Sequence, residues 1–389
     1  MEWSRTVAVS ACEAYDEKQI SHILRSHFEA IGYNRTFFEG KKVVIKPNLV
    51  MKKSPDAAAT THPAVLCALL LILQEYGVTP VIAESPGGIY NKQRLESIYR
   101  VCGIADAAAR YGAVLNFDTS VAQMPNPNGK KVKMFRVIEP VAEADILIDL
   151  CKLKSHSLTK MSAAVKNLFG VIPGIEKFEM HATFPDYGDF SAMLCDLCEM
   201  LCREKTVIAV TDAVIGMEGN GPTAGNPRKI GAILTSSNPF ASDLACERLL
   251  GFEGTVPLVK EAFTRGLCPE NADTLEILGA ALADLAVPDF KEPDSAKKKS
   301  VSALSFFSRG KIGRFFMPRP VVMRSLCRSC GECVASCPKH TIEFVQKGGT
   351  RVAHIRHASC IRCYCCQELC PFGAIRVKKN VILHIISSI

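Results

Sequence analysis

Two cysteine runs near the C-terminus have a spacing that points to metal chemistry. Each run reads C-x2-C-x2-C-x3-C followed by proline, and nine of the chain's 18 cysteines lie between Cys327 and Cys370. Three thiolates on one tight loop can reach three corners of a cubane 4Fe-4S cluster, and the fourth thiolate comes from elsewhere in the chain. A zinc site also needs four ligands, but it does not require the x3-Cys-Pro step that ends each run. The runs therefore predict two 4Fe-4S clusters.

The two runs are expected to exchange their last cysteine. In proteins with two such clusters, the fourth cysteine of each run binds the other cluster. Cluster 1 is therefore expected to bind Cys327, Cys330, Cys333 and Cys370. Cluster 2 is expected to bind Cys360, Cys363, Cys366 and Cys337, and Cys365 fits neither register. The region resembles the bacterial-type two-4Fe-4S ferredoxin domain, which implies a small α+β domain that exchanges electrons with a partner protein.

A second group of polar residues lies at the ends of apolar runs in the first 250 residues. The group contains lysines, asparagines, histidines and acids, namely Lys46, Asn48, His62, Lys154, His156, Lys166, Asn167, Glu176, Lys177, His181 and Asp212. In open α/β sheets, ligands bind beyond the carboxyl ends of the strands. Lysines and glycine-rich loops at such positions suit an anionic substrate, such as a carboxylate or a phosphate. The alternative is a structural role for each residue, for example an edge-strand lysine or a helix-end histidine.

The elements that would position these residues alternate between strand and helix from about residue 41 to residue 290. Apolar, β-rich runs predict strands at 42–50, 78–85, 113–118, 145–154, 206–216 and 229–237, and residues 129–141 read as one arm of a hairpin. Helical patterns lie at 63–77, 161–170, 189–202 and 240–251. This alternation predicts an α/β fold with a largely parallel or mixed sheet flanked by helices.

We expect three parts along the chain. Residues 1–290 form the α/β domain, residues 291–322 a basic linker, and residues 323–389 the ferredoxin-like domain. Four linker phenylalanines lie among basic residues, namely Phe306, Phe307, Phe315 and Phe316. They could lie on a membrane surface, but glycine and proline interrupt the segment, which favours packing between the two domains.

Charge is divided unequally along the chain. From residue 291 onward there are 18 lysines and arginines against 5 acidic residues, whereas the preceding residues hold 29 against 34. The basic residues are spread through the cluster domain and its linker, which argues against nucleic acid as the partner. Instead, they are expected to offset the negative charge of thiolate-ligated clusters or to dock onto the acidic body of the same chain.

Several stretches together resemble the domain-of-unknown-function family 362, which is often fused to a C-terminal ferredoxin domain. They are "VVIKPNLV", "TTHP", "DILIDLCKLKSH", "AVKNLFGVIPG", "MEGNGPTAG" and "SDLACERLLG", within residues 41–251. The resemblance implies an α/β domain with a polar site and an iron–sulfur redox role, but it supplies no reaction. The matching positions give the candidate site residues. Expected to be catalytic are Lys154, His156, Lys166 and His62. Expected to bind substrate are Lys46, Asn48, Asn167, Asn220 and Gly221.

These observations predict an iron–sulfur oxidoreductase with two 4Fe-4S clusters, an electron-transfer partner protein and a small anionic substrate. One alternative is an electron-transfer or docking protein without substrate chemistry of its own. Another is a non-redox α/β enzyme, such as a racemase or lyase, whose clusters are structural or sensory. Neither a signal peptide nor a transmembrane run is apparent. The high cysteine content fits a reducing compartment, and we expect a cytoplasmic location.

Overall fold

A nine-stranded mixed sheet organises the first part of the chain in the computed structural model, which describes residues 2–295 and 318–378. Its strands are β1 (Thr6–Ala11), β2 (Val43–Pro47), β3 (Val81–Ile82), β4 (Val114–Leu115), β7 (Ile146–His156), β8 (Lys160–Ser162), β9 (Thr206–Glu218), β10 (Asn226–Ser236) and β11 (Glu276–Gly279), and a separate hairpin pairs β5 (Val121–Pro125) with β6 (Met134–Ile138).

The strand order is β11-β1-β10-β9-β7-β2-β3-β4, and β8 pairs with β7 outside this path. The strands from β9 to β4 run parallel, while β10 is antiparallel to both β9 and β1. The predicted largely parallel or mixed sheet is therefore confirmed. Its parallel half places the carboxyl ends of β2, β3 and β7 next to one another.

Two apolar cores lie on opposite faces of the sheet because side chains alternate along each strand. In β7, Ile146 and Ile148 enter the core beneath the first helices of the chain, whereas Leu147 and Leu153 enter the core beneath the later ones. The first layer contains the helices Glu17–Ala30, Arg35–Phe38, Pro63–Glu75, Lys92–Val101 and Ile104–Tyr111. The second contains the helices Glu139–Ala142, Ala164–Asn167, Glu176–Thr183, Tyr187–Glu204, Pro239–Leu249 and Pro257–Thr264.

Two predicted strands are much shorter than the apolar runs suggested. The run at 78–85 contributes only Val81–Ile82, and the run at 113–118 only Val114–Leu115. After Ala83 the chain leaves the sheet, because the Ser85 amide donates to the Gly170 carbonyl at 3.0 Å instead of continuing the ladder. The predicted helix at 161–170 is also divided, since a short α-helix at Ala164–Asn167 passes into a 3-10 turn at Leu168–Val171.

The C-terminal part is a small α+β unit, as predicted. Strand β12 (Arg319–Val322) pairs with β15 (Ile375–Lys378), and β13 (Ile342–Lys347) forms a hairpin with β14 (Thr350–Ile355). Two one-turn helices, Glu332–Ala335 and Cys365–Glu368, lie within the cysteine runs. Strand β12 belongs to residues that the sequence division assigned to the linker, and the four linker phenylalanines lie outside the described residues. Within the described ranges, no helix combines the length and apolarity needed to cross a membrane.

Candidate functional site

A cavity of about 80 Å³ lies at the carboxyl ends of β2, β3 and β7. Ligands of open α/β sheets bind at this edge. We call it the lysine cavity, because four lysines are part of its lining. The polar residues in the lining are Lys46, Asn48, Glu84, Ser85, Lys154, His156, Ser162, Lys166, Asn167, Lys177, His181 and Glu368.

A buried ion pair forms the floor of this cavity. Lys46 at the end of β2 donates from Nζ to Glu84 Oε2 at 2.6 Å and to Asn167 Oδ1 at 2.9 Å. Asp149, beside Lys46 in the sheet, accepts a 2.7 Å hydrogen bond from Asn167 Nδ2. Burial raises the pKa of Asp149 well above its usual value. The charge of Lys46 is thus compensated inside the protein.

Lys154 reaches the same network from β7 but contacts only neutral acceptors. Its Nζ donates to Asn48 Oδ1 at 2.8 Å and to the Ala59 carbonyl, and Asn48 Nδ2 in turn donates to Asn167 Oδ1 at 2.7 Å. Burial, followed by the nearby charge of Lys166, lowers the pKa of Lys154 to about 7. This amine therefore changes protonation near neutral pH.

Lys166 projects into the cavity from the short helix Ala164–Asn167. Among the residues that the structure describes, its Nζ has no hydrogen-bond or ion-pair partner, although it lies 4.7 Å from the centre of the Phe169 ring and 5.9 Å from that of Phe190. Burial lowers its pKa, and the field of Glu368 opposes that effect. Among the described residues, Lys166 therefore feels the charge of Glu368 but forms no direct ion pair.

Two histidines and a further lysine line the remaining walls. His156 Nδ1 accepts hydrogen bonds from two backbone amides, and its Nε2 lies 3.3 Å from Glu368 Oε1. Burial lowers the pKa of His156 well below its usual value and that of His181 to about 3. Lys177 donates to the Ser85 carbonyl, and burial lowers its pKa to about 7. Both imidazoles are neutral at physiological pH.

The C-terminal domain closes the cavity. We call its helix Cys365–Glu368 the roof helix, because Cys365, Glu368 and the following Leu369 complete the lining. Glu368 Oε1 is buried without a hydrogen bond, since its 3.3 Å approach to His156 is poorly aligned. Burial raises the pKa of Glu368 to about 7, while Lys166 and Lys154 act in the opposite direction.

Neutral contacts hold the roof helix in place. Gln367 Nε2 donates to the Asn220 carbonyl at 3.2 Å, and Ser157 Oγ donates to Gln367 Oε1 at 3.1 Å. Thr223 Oγ1 donates to the Glu368 carbonyl at 2.9 Å. Phe178 packs against Cys365 and Leu369. The domain contact therefore consists largely of apolar packing and uncharged hydrogen bonds.

Two further cavities are surrounded by the cysteine runs, and each contains one predicted ligand set. One is lined by Cys327, Cys330, Cys333 and Cys370. The other is lined by Cys337, Cys360, Cys363 and Cys366. The four predicted ligands around each cavity fit the donor set of a 4Fe-4S cluster, with the last cysteine exchanged between runs, and ligation itself stays a prediction. Cys365 lines both the second of these cavities and the lysine cavity.

Six of the nine candidate site residues outside the cysteine runs line the lysine cavity, and three lie elsewhere. The six are Lys46, Asn48, Lys154, His156, Lys166 and Asn167. His62 stacks on Tyr15 with ring centres 3.5 Å apart, and its Nδ1 accepts from the Ala64 amide at the start of a helix. Asn220 and Gly221 hold the roof helix and Ser157 through their carbonyls.

Several residues of the cavity were not among the candidates. Lys177 and His181 belong to the polar group of the sequence but not to its candidate site residues. Glu84 ends an apolar run and so carries the same signal as Lys46. Nothing in the sequence pattern indicates Cys365 or Glu368, because their position depends on how one domain packs on the other.

Comparison with known proteins assigns both parts of the chain. A family model described as "Domain of unknown function (DUF362)" matches residues 43–248, which is more than half of the chain. A model of a 4Fe-4S dicluster domain matches residues 326–374. The second match makes the C-terminal part an iron–sulfur electron-transfer domain.

Similar proteins of known name cover different parts of the chain. The thylakoid-associated protein sll1697 of Synechocystis is 27% identical over 297 residues, which cover 75% of this chain and 88% of that protein. An uncharacterized ferredoxin, MJ0199, of Methanocaldococcus jannaschii is 38% identical over 58 residues, which cover 14% of this chain and 89% of that protein.

One solved structure also resembles the chain. It is the lactate racemase apoprotein of Thermoanaerobacterium thermosaccharolyticum, with a TM-score of 0.38 and 14% identity, and the match covers 63% of this chain and 57% of that one. This likeness is too weak to carry an argument. On the strength of the family match, the chain belongs to the DUF362 family and carries a C-terminal 4Fe-4S dicluster domain.

Proposed function

We propose that this protein is an iron–sulfur oxidoreductase that binds a small anionic substrate in the lysine cavity and exchanges electrons with it through the C-terminal domain. One observation carries the proposal. Cys365 lines both the lysine cavity and the cavity of the cluster 2 cysteines, so the two cavities are neighbours that share this residue. The cytoplasmic location expected from the sequence belongs to this proposal.

An anion is the ligand that the charges of the cavity favour. Lys46 is paired with Glu84, but Lys154 contacts only neutral oxygens and Lys166 contacts no acceptor within the described part of the chain. A cation that is partly removed from water and has no direct ion-pair partner costs free energy, which an incoming anion offsets. A carboxylate or phosphate between Lys154 and Lys166 would satisfy both amines.

The remaining residues of the cavity have roles that follow from their contacts. His156 is held by two backbone amides, so its Nε2 can donate a hydrogen bond to a ligand oxygen. Lys154, with a pKa of about 7, can give or take a proton when the substrate changes charge. The roof helix keeps bulk water away from these groups. A cluster bound by the adjacent loop would exchange single electrons.

Anion binding by the full-length protein, reconstituted with iron and sulfide under anaerobic conditions, tests the proposal. Isothermal titration calorimetry with phosphate, acetate and pyruvate should detect binding of at least one anion. We expect Lys166→Met to weaken that binding about tenfold or more, because the unpaired cation is lost. The matched control is Lys260→Met, which changes an exposed lysine that does not line the cavity and should bind as the parent does. Equal affinities in all three proteins, or no binding at all, would leave the docking alternative.

A second measurement separates a redox enzyme from a non-redox one. Protein reduced with dithionite is mixed with the anions that bind, and the visible absorbance of the oxidised clusters is followed. Return of this absorbance with a reducible anion, and not with phosphate, supports electron transfer to the substrate. If a bound substrate is converted equally fast by a Cys366→Ser variant that lacks cluster 2, the clusters are structural and the chemistry is not redox.

A further inference from the structure

The charged residues of the C-terminal domain are arranged differently from the sequence-based expectation. Residues 318–378 contain ten lysines and arginines but only three acidic residues. Two of these three, Glu332 and Glu368, face the α/β domain, where Glu332 pairs with Arg94 at 3.4 Å and Glu368 lines the lysine cavity. The Arg94–Glu332 pair across the contact thus joins a cation of the α/β domain to an acid of the cluster domain. Within residues 318–378, this contact therefore shows an acid of the cluster domain facing a cation of the α/β domain, the reverse of the expected docking of basic residues onto an acidic body.

Three of the ten basic residues instead lie on the exposed surface beside the cluster 1 cysteines. Arg324 and Arg328 are exposed next to Cys327 and Cys330, and Cys330 is itself exposed. Arg351 is exposed as well, and its guanidinium lies 4.0 Å from the centre of the Phe344 ring. Among the described residues, none of these three arginines has an ion-pair partner.

Apolar side chains lie among these arginines. Phe372 is 48% exposed and Leu326 is 36% exposed, the two large apolar side chains of the described cluster domain that reach this exposure. The cavity of the cluster 1 cysteines, which include Cys330, is also lined by Arg328, Phe344 and Phe372. Exposed apolar residues ringed by charge are typical of a surface that another protein covers.

We propose that this surface, Arg324, Leu326, Arg328, Arg351 and Phe372, is the docking face for an acidic one-electron carrier protein. Positive charge around an apolar centre is complementary to a carrier with an acidic rim, and it speeds and orients the encounter. The cysteines beneath this face would hold cluster 1, which would supply one-electron chemistry: carrier and cluster would change oxidation state in opposite directions, and no atom would be transferred. The cysteines expected to hold cluster 2 lie toward the lysine cavity, because Cys365 lines both cavities.

Binding of two small redox proteins of opposite charge tests this inference. Flavodoxin serves as the acidic probe and cytochrome c as the basic one, each titrated calorimetrically into the reconstituted full-length protein. We expect flavodoxin to bind in about 0.05 M salt and to bind about tenfold more weakly in about 0.5 M salt, where exposed charges are screened. Cytochrome c should not bind at either salt concentration.

Charge-reversed variants locate the face. Arg324→Glu combined with Arg328→Glu should weaken flavodoxin binding about tenfold or more, whereas Lys18→Glu combined with Lys260→Glu has the same net charge and should bind as the parent does. If the arginine variant fails to load iron, Arg351→Glu and the apolar variant Phe372→Ser serve in its place.

Two results would overturn the docking face. Equal flavodoxin affinity in the arginine and lysine double variants would show that net charge alone matters. Unchanged affinity together with a shifted reduction potential would show that the arginines only compensate the charge of the clusters. Because the readout is binding of a protein probe, neither result depends on whether the lysine cavity takes an anionic substrate.

Discussion

Lys166 is a residue that lowers the stability of the protein in which it lies. Its amine has no partner among the described residues, and burial lowers its pKa from the usual 10.5. An unfolded chain takes up the proton more readily than the folded one, so this lysine favours unfolding at every pH below about 10. A lysine that costs stability and contacts only two aromatic rings is best explained by a ligand.

We therefore predict that Lys166→Met stabilises the protein at pH 7, by on the order of 1 kcal/mol, or about 2 °C in Tm. The advantage should shrink as the pH approaches 10.5, because the unfolded lysine of the parent then loses its proton too. Thermal unfolding of both proteins at pH 7 and pH 10, followed by circular dichroism, measures this. Lys260→Met is the control and should match the parent at both values. A Met variant that is less stable at pH 7 would mean that Lys166 makes a contact essential to the fold.

Individual cysteines can be distinguished by iron content. The parent should hold about eight irons after anaerobic reconstitution. We predict that Cys337→Ser and Cys370→Ser each lose about half of the iron, because each lines the cavity of the other run's cysteines. Cys365→Ser should retain nearly all of the iron, since the other eight cysteines of the two runs, Cys363 included, complete both donor sets. A loss of about four irons in the Cys365 variant would contradict the assignment.

At the scale of elements, the turn after helix Ala164–Asn167 fixes the floor of the lysine cavity. A Cβ atom added to Gly170 would lie 2.3 Å from Glu84 Oε1 and 2.4 Å from Lys46 Nζ. These atoms belong to a pair whose side chains are only 4% and 1% exposed, and they have little room to move apart. The element therefore requires glycine at this position for reasons of space.

We predict that Gly170→Ala destabilises the protein by about 3 kcal/mol, because it separates a buried ion pair. Gly188→Ala is the matched control. There the added Cβ would meet only an oxygen of Asp186 at 3.1 Å, and alanine favours the helix that begins at Tyr187. Denaturant unfolding of the three proteins measures the difference. Equal midpoints for the two variants would show that the cavity floor can adjust.

The long strands could be predicted because each is a long, continuous apolar run in the sequence. The runs at 145–154 and 206–216 became β7 and β9 with small changes at their ends. The edges of the sheet could not be predicted in the same way. Strands β3 and β4 pair over only two residues each, and the point where β3 ends depends on Gly170, which is distant in sequence.

At the scale of the whole molecule, the contact between domains should be insensitive to salt. It rests on uncharged hydrogen bonds to Gln367 and Glu368 and on apolar packing of Phe178 with Leu369. The Arg94–Glu332 pair is partly exposed, and such pairs contribute about 1 kcal/mol or less. We predict that small-angle X-ray scattering gives the same radius of gyration in about 0.1 M and about 1 M NaCl.

A variant of the apolar contact provides the comparison. Phe178→Asp places a charge against Cys365 and Leu369 and should increase the radius of gyration at both salt concentrations. Expansion of the parent in high salt would instead support the charge distribution along the sequence as the cause of docking, with a basic cluster domain attracted to an acidic body.

The site shows the same limit of sequence reasoning at this larger scale. The residues that end β2 and β7 were predicted, because parallel strands bring their carboxyl ends to one edge. Lys46, Lys154 and Asn48 meet there. The opposite wall of the lysine cavity belongs to the cluster domain. No periodicity or spacing in the sequence predicts which face of that domain packs against the sheet. Glu368 therefore became part of the site only when both domains were seen together.

The roof helix has a thermodynamic consequence. It belongs to the electron-transfer domain, but it supplies Cys365, Glu368 and Leu369 to the lysine cavity. A ligand that contacts both walls binds more tightly when the domains are docked. By reciprocity it strengthens the docking by the same factor, since a coupling free energy between two binding events has a single value. Ligand binding in the cavity and docking of the cluster domain are therefore cooperative. The cluster domain is docked against the cavity most often when a ligand is bound there.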